Sequence, residues 1–480
     1  MSEIEDAVDA ADELAPLTEA IAAILPSGWK LETLGSLCEK SQYGWTTKAD
    51  KDGQGVKFLR TTDITPGVVD WERVPYCVEA PPDLDKYLIR EGDLLISRTG
   101  SIGVNYLVSN PEPAVFASYL IRFRPKKSIS TNYLRYFLQS PTYWRAIAAG
   151  KKGIAVQNVN ATMLSKIPVP VAPDSEQLEI VAEIEKQFSR LDQAVANLQR
   201  VKANLKRYKA SVLKDAVEGR LVPTEAELAR REGRSFETGE QLLQRILETR
   251  KSEWAGRGKY EEPSAVETGG LINLPNGWVW ASAEQLSTFI TKGTTPAAEK
   301  LLNAGIGDVQ FLKVYNLTCD GTLNYAYKPA FVSRATHEGE LLRSQVLAGD
   351  VLINIVGPPL GQVSVVPPTI AEANMNQAVA RFRPIKPLST KFVAHVLMAE
   401  SIMAWAIRKA KTTAGQTNLT LDLCRRLPIL LPPLAEQERI VAEVDRRLSL
   451  VISVQAEVDA GLKRAQALRQ SSLRKAFGAS

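Results

Sequence analysis

Acid–base and nucleophilic side chains are sparse and scattered in this 480-residue sequence. Its two histidines, His337 and His395, both fall in the second half and well apart. They are expected to be ordinary surface or half-buried side chains, not a proton-transfer pair. The turn Gly100-Ser101-Ile102-Gly103 has glycines but neither the spacing of a P-loop nor that of a nucleophile elbow. No GxxxxGK followed by Ser or Thr occurs, so nucleotide hydrolysis is not indicated. Asp93 and Asp350 lack a second acid at a repeated position nearby, which favours a turn-stabilising role over a paired-carboxylate site. Cys38, Cys77, Cys319 and Cys424 are far apart and form no CxxC, which argues against a disulfide framework and a structural zinc. What the loops do offer is recognition chemistry. Guanidinium, amide and hydroxyl groups stand beside glycines, the equipment for phosphate contacts and base-edge hydrogen bonds.

Residues 174–219 are the element that must position such loops. Ile180, Ile184, Phe188, Leu191, Val195, Leu198, Val201, Leu205, Tyr208 and Val212 form a heptad seam, the pattern of a coiled-coil helix. Asp174 with Gln177 reads as a capping-box start, and Gly219 with Pro223 as the stop. At 1.5 Å per residue this makes a rod of about 66 Å. The same helix returns near the C-terminus at a constant offset of 260 (Glu436 less Glu176) and without a gap. Glu176-Gln177 meets Glu436-Gln437, and Leu213-Lys214 meets Leu473-Arg474. An apolar stripe must be buried, and each rod is the obvious partner of the other. Ile180, Ile184, Phe188, Leu191, Leu198 and Leu205 are therefore expected to pair with Ile440, Val444, Leu448, Val451, Val458 and Leu462 in an antiparallel, pseudo-twofold arrangement. A helical hairpin without a spacing role is the plainer alternative.

The regions ahead of the rods repeat as well. Leu-Pro-Ser-Gly-Trp at Leu25 answers Leu-Pro-Asn-Gly-Trp at Leu274. Gly92-Asp93 answers Gly349-Asp350, and Arg122-Phe123-Arg124-Pro125 answers Arg381-Phe382-Arg383-Pro384. Short β-rich runs broken by Gly, Pro, Asn and Thr precede a helical stretch in each, which reads as α+β. The offset drifts through these regions and stays fixed through the rods, so loops changed length and rods did not. The chain divides into an acidic segment of uncertain order (1–24), a first domain (25–172), a first rod (173–219), a helix and exposed linker (220–270), a second domain (271–432) and a second rod (433–480).

Duplication sorts the candidate contacts. A group present in both domains cannot distinguish two targets, so Thr46/Thr295, Arg60/Lys313, Arg122/Arg381 and Arg124/Arg383 are candidates for scaffold or phosphate positioning. Groups that differ at matched points are candidates for reading bases. The first domain offers Gln42, Tyr43, Thr47, Thr62, Arg98, Ser101 and Asn105; the second offers Lys292, Thr294, Tyr315, Asn316, Asn354 and Gln362. Arg98 against Ile355 is the sharpest contrast, since Arg can take guanine bidentately and Ile cannot. A solvated side chain at a strand end is the equal alternative for Arg98.

Composition agrees without deciding. The sequence is 45% hydrophobic and 24% charged, ordinary for a globular chain. Net charge is +5, but residues 1–22 carry seven acids and no base, leaving +12 on the rest (5 + 7). A basic body fits a polyanionic partner. The absence of a signal-like N-terminus and of a long apolar run predicts a cytoplasmic protein with no membrane partner.

In this organisation the chain resembles the specificity subunits of type I restriction-modification systems. The likeness rests on the paired Leu-Pro-x-Gly-Trp openings and on the Gly-Asp-Leu-Leu-Ile-Ser and Gly-Asp-Val-Leu-Ile-Asn strands. It rests further on the Glu-Gln-Leu-Glu-Ile-Val-Ala-Glu and Glu-Gln-Glu-Arg-Ile-Val-Ala-Glu helix starts, and on the Gly219-Arg220-Leu221-Val222-Pro223 exit. The resemblance implies two target-recognition domains, each reading half of a split double-stranded DNA sequence, separated by two long helices that act as a ruler. It implies a non-catalytic chain. Methylation would belong to two modification subunits and cleavage to two restriction subunits, with S-adenosylmethionine, ATP and Mg bound by those partners. Two other readings remain: a methyltransferase in its own right, which would bind S-adenosylmethionine alone, and a scaffold whose repeats bind proteins.

Overall fold

The computed structural model describes residues 2–150, 158–254, 259–303, 309–318, 320–413 and 416–477. Cys319 lies outside the described residues. The chain forms two compact units, Met1–Arg200 with Val458–Ser480, and Val201–Glu457. Neither long helix, Asp174–Val217 or Leu434–Ala476, belongs whole to one unit.

In the first unit, Gln42–Tyr43, Leu120–Phe123, Leu94–Ser97 and Asn105–Leu107 make an antiparallel sheet in that order. A second sheet runs Ala49–Asp50, Tyr76–Cys77, Lys57–Leu59, Ala114–Phe116, its last pair parallel. Lys30–Thr33 pairs with Pro168–Val171, so the strand that follows the Leu-Pro-Ser-Gly-Trp opening is zipped to the one that leads into the rod. The helices Thr131–Phe137 and Pro141–Ala149 start on Ser130 and Ser140, each capping a free backbone N–H.

The second unit repeats this plan. Ser287–Lys292, Val379–Pro384, Val351–Asn354 and Val363–Val365 form the antiparallel sheet. Phe331–Val332, Val309–Leu312, Glu372–Met375 and Gln345–Leu347 form the other, with Val309–Leu312 parallel to Glu372–Met375. Val279–Ser282 pairs with Pro428–Leu431.

Each core is closed by both long helices. In the first unit Ile184 and Phe188 pack in one cluster with Tyr133, Phe137, Leu473 and Phe477. Phe477 meets Tyr133 and Phe137 edge-on at 5.1 and 5.7 Å. The helix segments there run antiparallel: Ser472 Oγ donates to Gln187 Oε1 at 2.6 Å, and Arg469 pairs with Asp192 at 2.7 Å. Leu198 lies beside Gly461, where a Cβ would come within 3.1 Å of it. In the second unit Val212, Leu213, Ala216 and Val217 share a cluster with Ile440, Val444 and Leu448. Leu213 and Leu473 are matched by the offset of 260, and both are core residues, 4% and 0% exposed.

Several expectations need correction. Val201 and Tyr208 are exposed, so the heptad seam thins at mid-helix. Gln177 does not cap its helix. It is buried, donating to Ala172 O at 2.8 Å and accepting from Ser130 N at 3.0 Å, which ties the rod to its domain. Gly219 does take the left-handed conformation of a helix stop, with φ +67. The acidic N-terminal segment is a helix, Ser2–Ala23, with Leu14 in the first core. The 220–270 stretch holds two helices, Glu225–Glu232 and Gly239–Ser252, not one. Among the described residues no single helix is long and apolar enough to cross a membrane.

Candidate nucleic-acid interface

The arginines and aspartates shared by the two domains build the fold from within. Asp93 is fully buried and accepts from Arg124 Nε and Nη2 at 2.7 and 3.0 Å; its Oδ2 also accepts the Arg90 N–H of the preceding turn. Asp350 repeats this with Arg383, at 2.7 Å twice, and with Leu347 N. Arg122 donates to the carbonyls of Leu88 and Lys86 and lies over the Phe116 ring. Arg381 donates to Gln345 O and lies over Phe289, and burial lowers its pKa to about 10. Protein acceptors hold these four arginines, which fits the scaffold half of the expectation for them, although Arg381 Nε is buried without a hydrogen-bond partner. Arg60 is held by Asp63 at 2.9 Å in a half-buried pair, and that pairing raises its pKa.

Three amides offered as base readers are also structural. Asn316 is 2% exposed, takes the Lys313 N–H and donates to the carbonyls of Asn324 and Tyr327. Asn354 is fully buried and donates to Pro359 O. Asn105 donates to Gly103 O and Leu138 O. Asn316 and Asn354, buried with their partners made, have nothing left for a base, and the half-buried Asn105 has its NH2 group engaged. Both histidines are buried too. His337 Nδ1 lies 2.6 Å from Asn374 Oδ1, and His395 Nε2 lies 3.3 Å from Asp445. Burial pushes the Cys77 thiol up to about 11, and those of Cys38 and Cys424 to about 12, which keeps them as inert apolar side chains.

Among the candidates that remain, Tyr43 and Arg98 come together. In the first unit the Arg98 guanidinium stacks over the Tyr43 ring at 5.1 Å. The Tyr43 hydroxyl accepts the Ala161 N–H at 2.9 Å, Arg98 N donates to Tyr119 O, and Val159 N donates to Arg98 O. Four chain segments therefore meet around Arg98, whose Nε is buried without a hydrogen-bond partner. Tyr119, 58% exposed, sits in this cluster and escaped the sequence reading. Gln42 donates to Tyr43 O, and Thr47 accepts from Glu79 N. Thr46, Thr62 and Ser101 are exposed. Gly44 makes the strand entry possible: a Cβ there would stand 2.2 Å from Ala117 O, and its match Gly293 2.1 Å from Met375 O.

The second unit builds the same backbone junction with different side chains. Ile355 N donates to Ala378 O and Leu419 N to Ile355 O, as at Arg98. Ile355 is 3% exposed, whereas Lys292, Thr294 and Thr295 are exposed. Gln362 is half-buried. Its outward aromatic cluster lies on a loop instead. Tyr315 and Tyr327 meet edge-on at 5.8 Å, Lys313 lies over Tyr315, and Lys328 lies over Tyr327. Tyr327 and Lys328 also escaped the sequence reading. Basic groups interleaved with exposed aromatic rings are suited to a nucleic-acid surface.

Two α+β domains of one topology, each closed by parts of two long helices and each facing outward with different side chains, define a duplicated recognition architecture. Residues 26–207 match the Type I restriction modification DNA specificity domain. The Type I restriction enzyme EcoBI specificity subunit of Escherichia coli is 24% identical over 429 residues, 88% of this chain and 79% of that one. The EcoKI specificity subunit of E. coli K12 is 21% identical over 468 residues, 95% of this chain and 90% of its own. A solved chain described under "Structural basis underlying complex assembly and conformational transition of the type I R-M system" covers 95% of this chain and 99% of itself, with TM-score 0.61 at 19% identity, and has the same fold. Over most of its length the chain is similar to specificity subunits of type I restriction-modification systems, and residues 26–207 match the DNA specificity domain of that family.

Proposed function

We propose that each unit reads one half of a split double-stranded DNA target and that the two long helices fix the spacing between the halves. Methylation and cleavage are carried out by two modification and two restriction subunits, which bind S-adenosylmethionine, ATP and Mg, in the cytoplasm. The observation that carries this reading is the backbone junction built twice, with Arg98 on Tyr43 in one unit and the buried Ile355 in the other, where Lys292 stands at the position matching Tyr43. A fold that keeps its inward ion pairs and changes its outward side chains is organised for two different sequences. The gap-free repetition of the helices, beside domains whose loops change length, supports the ruler. Two readers on one face of B-DNA favour half-sites about 10 bp apart, centre to centre.

Exchange of residues 25–172 for the matching domain of another family member is expected to change one half of the methylated sequence and leave the other. Sequencing of modified adenines in a host carrying the chain with its partners reads this directly, and alteration of both halves overturns it. An added helical turn in each rod is expected to lengthen the gap with both halves intact.

A further inference from the structure

The two units differ at one matched place away from these loops. In the second, Trp278 Nε1 donates to Glu436 Oε1 at 3.0 Å, and both residues are buried, 8% and 0% exposed. They are covered by the segment that leaves the first long helix. Leu221 is buried there, Arg439 donates to Pro223 O, and the Glu225 N–H donates to Glu436 Oε2 at 2.8 Å. The Glu225 carboxylate pairs with Arg439 at 2.7 Å. In the first unit the matched Trp29 Nε1 donates to Glu176 Oε2 at 2.8 Å, yet Glu176 is exposed and Trp29 half-buried. The pair stands in an open groove of about 570 Å³, bounded also by Pro26, Ile180, Leu468 and Ala476. Among the described residues no segment lies over it.

One matched charge is reversed. Arg439 corresponds, by the offset of 260, to the exposed Glu179, so a copy of residues 219–232 laid in this groove would set its glutamate against Glu179. Glu176 and Glu183 line the same groove against a single basic residue, Lys475. We propose that this groove receives a helix-starting segment of a partner polypeptide: an apolar residue, a proline and a capping hydroxyl, followed by a basic residue in the first helical turn. The apolar residue takes the place that Leu221 holds in the second unit. The free N–H groups of the helix start meet Glu176, and the basic side chain meets Glu179. A second copy of this chain is disfavoured as occupant, because its own segment carries Glu225 at that point. The assignment stands apart from which bases the loops read.

The test is fluorescence anisotropy of labelled peptides with the full chain. The probes are residues 219–233 as they stand, the same peptide with Glu225→Arg, and a scrambled control. The Glu225→Arg peptide is expected to bind about tenfold or more tighter than the native one, since like charges across an interface are strongly disfavoured. Glu179→Arg in the full chain, an exposed position on the helix whose fold is checked by circular dichroism, is expected to invert that order. Equal binding of all three peptides overturns the proposal, as does no saturable binding of the Glu225→Arg peptide, or an order indifferent to Glu179→Arg. A dimer of the chain alone that Glu176→Arg dissolves would assign the groove to a second copy and overturn it equally.

Discussion

In the first unit the strand Leu94–Ser97 is followed by Arg98, stacked on Tyr43, and in the second the strand Val351–Asn354 is followed by Ile355, buried at the same junction. One position inward both side chains are buried, at Ser97 and Asn354, and the Asp–Arg pairs behind them are the same in both units. The difference teaches where specificity can change without cost to the fold. Identity is conserved between repeats at the buried Asp–Arg pair, and it lapses at the strand's end, where Ser97-Arg98 in one unit answers Asn354-Ile355 in the other.

Breaking the shared part is expected to have the largest effect. Asp93→Ala leaves the Arg124 guanidinium without its fully buried partner and frees the Arg90 N–H, and removing one member of a buried pair costs about 3–5 kcal/mol. Asp350→Ala is expected to do the same to the second unit. Urea denaturation of each variant reads this loss, and a change within about 0.5 kcal/mol would show that the pair does not hold the sheet.

Breaking the part that differs is expected to leave stability alone and change what is read. Arg98→Ile makes the first junction resemble the second. It is expected to cost about 1–3 kcal/mol at one base pair of the first half-site and nothing at the second. Binding of the assembled complex to duplexes varied one position at a time measures it. A uniform loss across all duplexes would reassign Arg98 to the backbone. Lys328→Ala, beside Tyr327, is expected to weaken binding evenly over sequences and to reduce the salt slope by about 1.

The rods, the duplication and the mixed class of the domains were legible in the sequence because period and offset are local properties. The interface was legible only in part. Tyr43 and Arg98 stood out as differing residues, but Asn105, Asn316 and Asn354 looked equally suitable, since an amide that caps a turn and one that faces a base are the same residue until tertiary contacts are known. The two histidines were hidden for the same reason: the partners Asn374 and Asp445 that bury them come from distant segments. The helix Glu225–Glu232 was missed because its residues are mostly polar, although Thr224 with Glu227 forms a capping box and Gly233 a left-handed stop. Tyr119 gave no signal, being a lone exposed aromatic at a loop tip.

The smallest effect expected is at the contact between each domain's helix and its rod. In the first unit the Tyr136 hydroxyl reaches Glu185 Oε1 at 3.4 Å, and in the second the matched pair is His395 and Asp445, at 3.3 Å, joined by Lys391 at 2.6 Å. His395, and after it Lys391, holds the Asp445 carboxyl at about 2, below its ordinary 3.8. A value depressed in the folded state means that the contribution to stability is complete above the ordinary value and disappears as pH falls through about 2. Asp445 is partly exposed, so solvent screening holds that contribution below about 1 kcal/mol. Between pH 4 and pH 2 the wild-type urea midpoint is expected to fall more steeply than that of Asp445→Asn, which has no proton to gain. Parallel curves for wild type and Asp445→Asn would show that the ion pair contributes nothing to docking of the second domain on its rod, and would leave the two contacts equivalent.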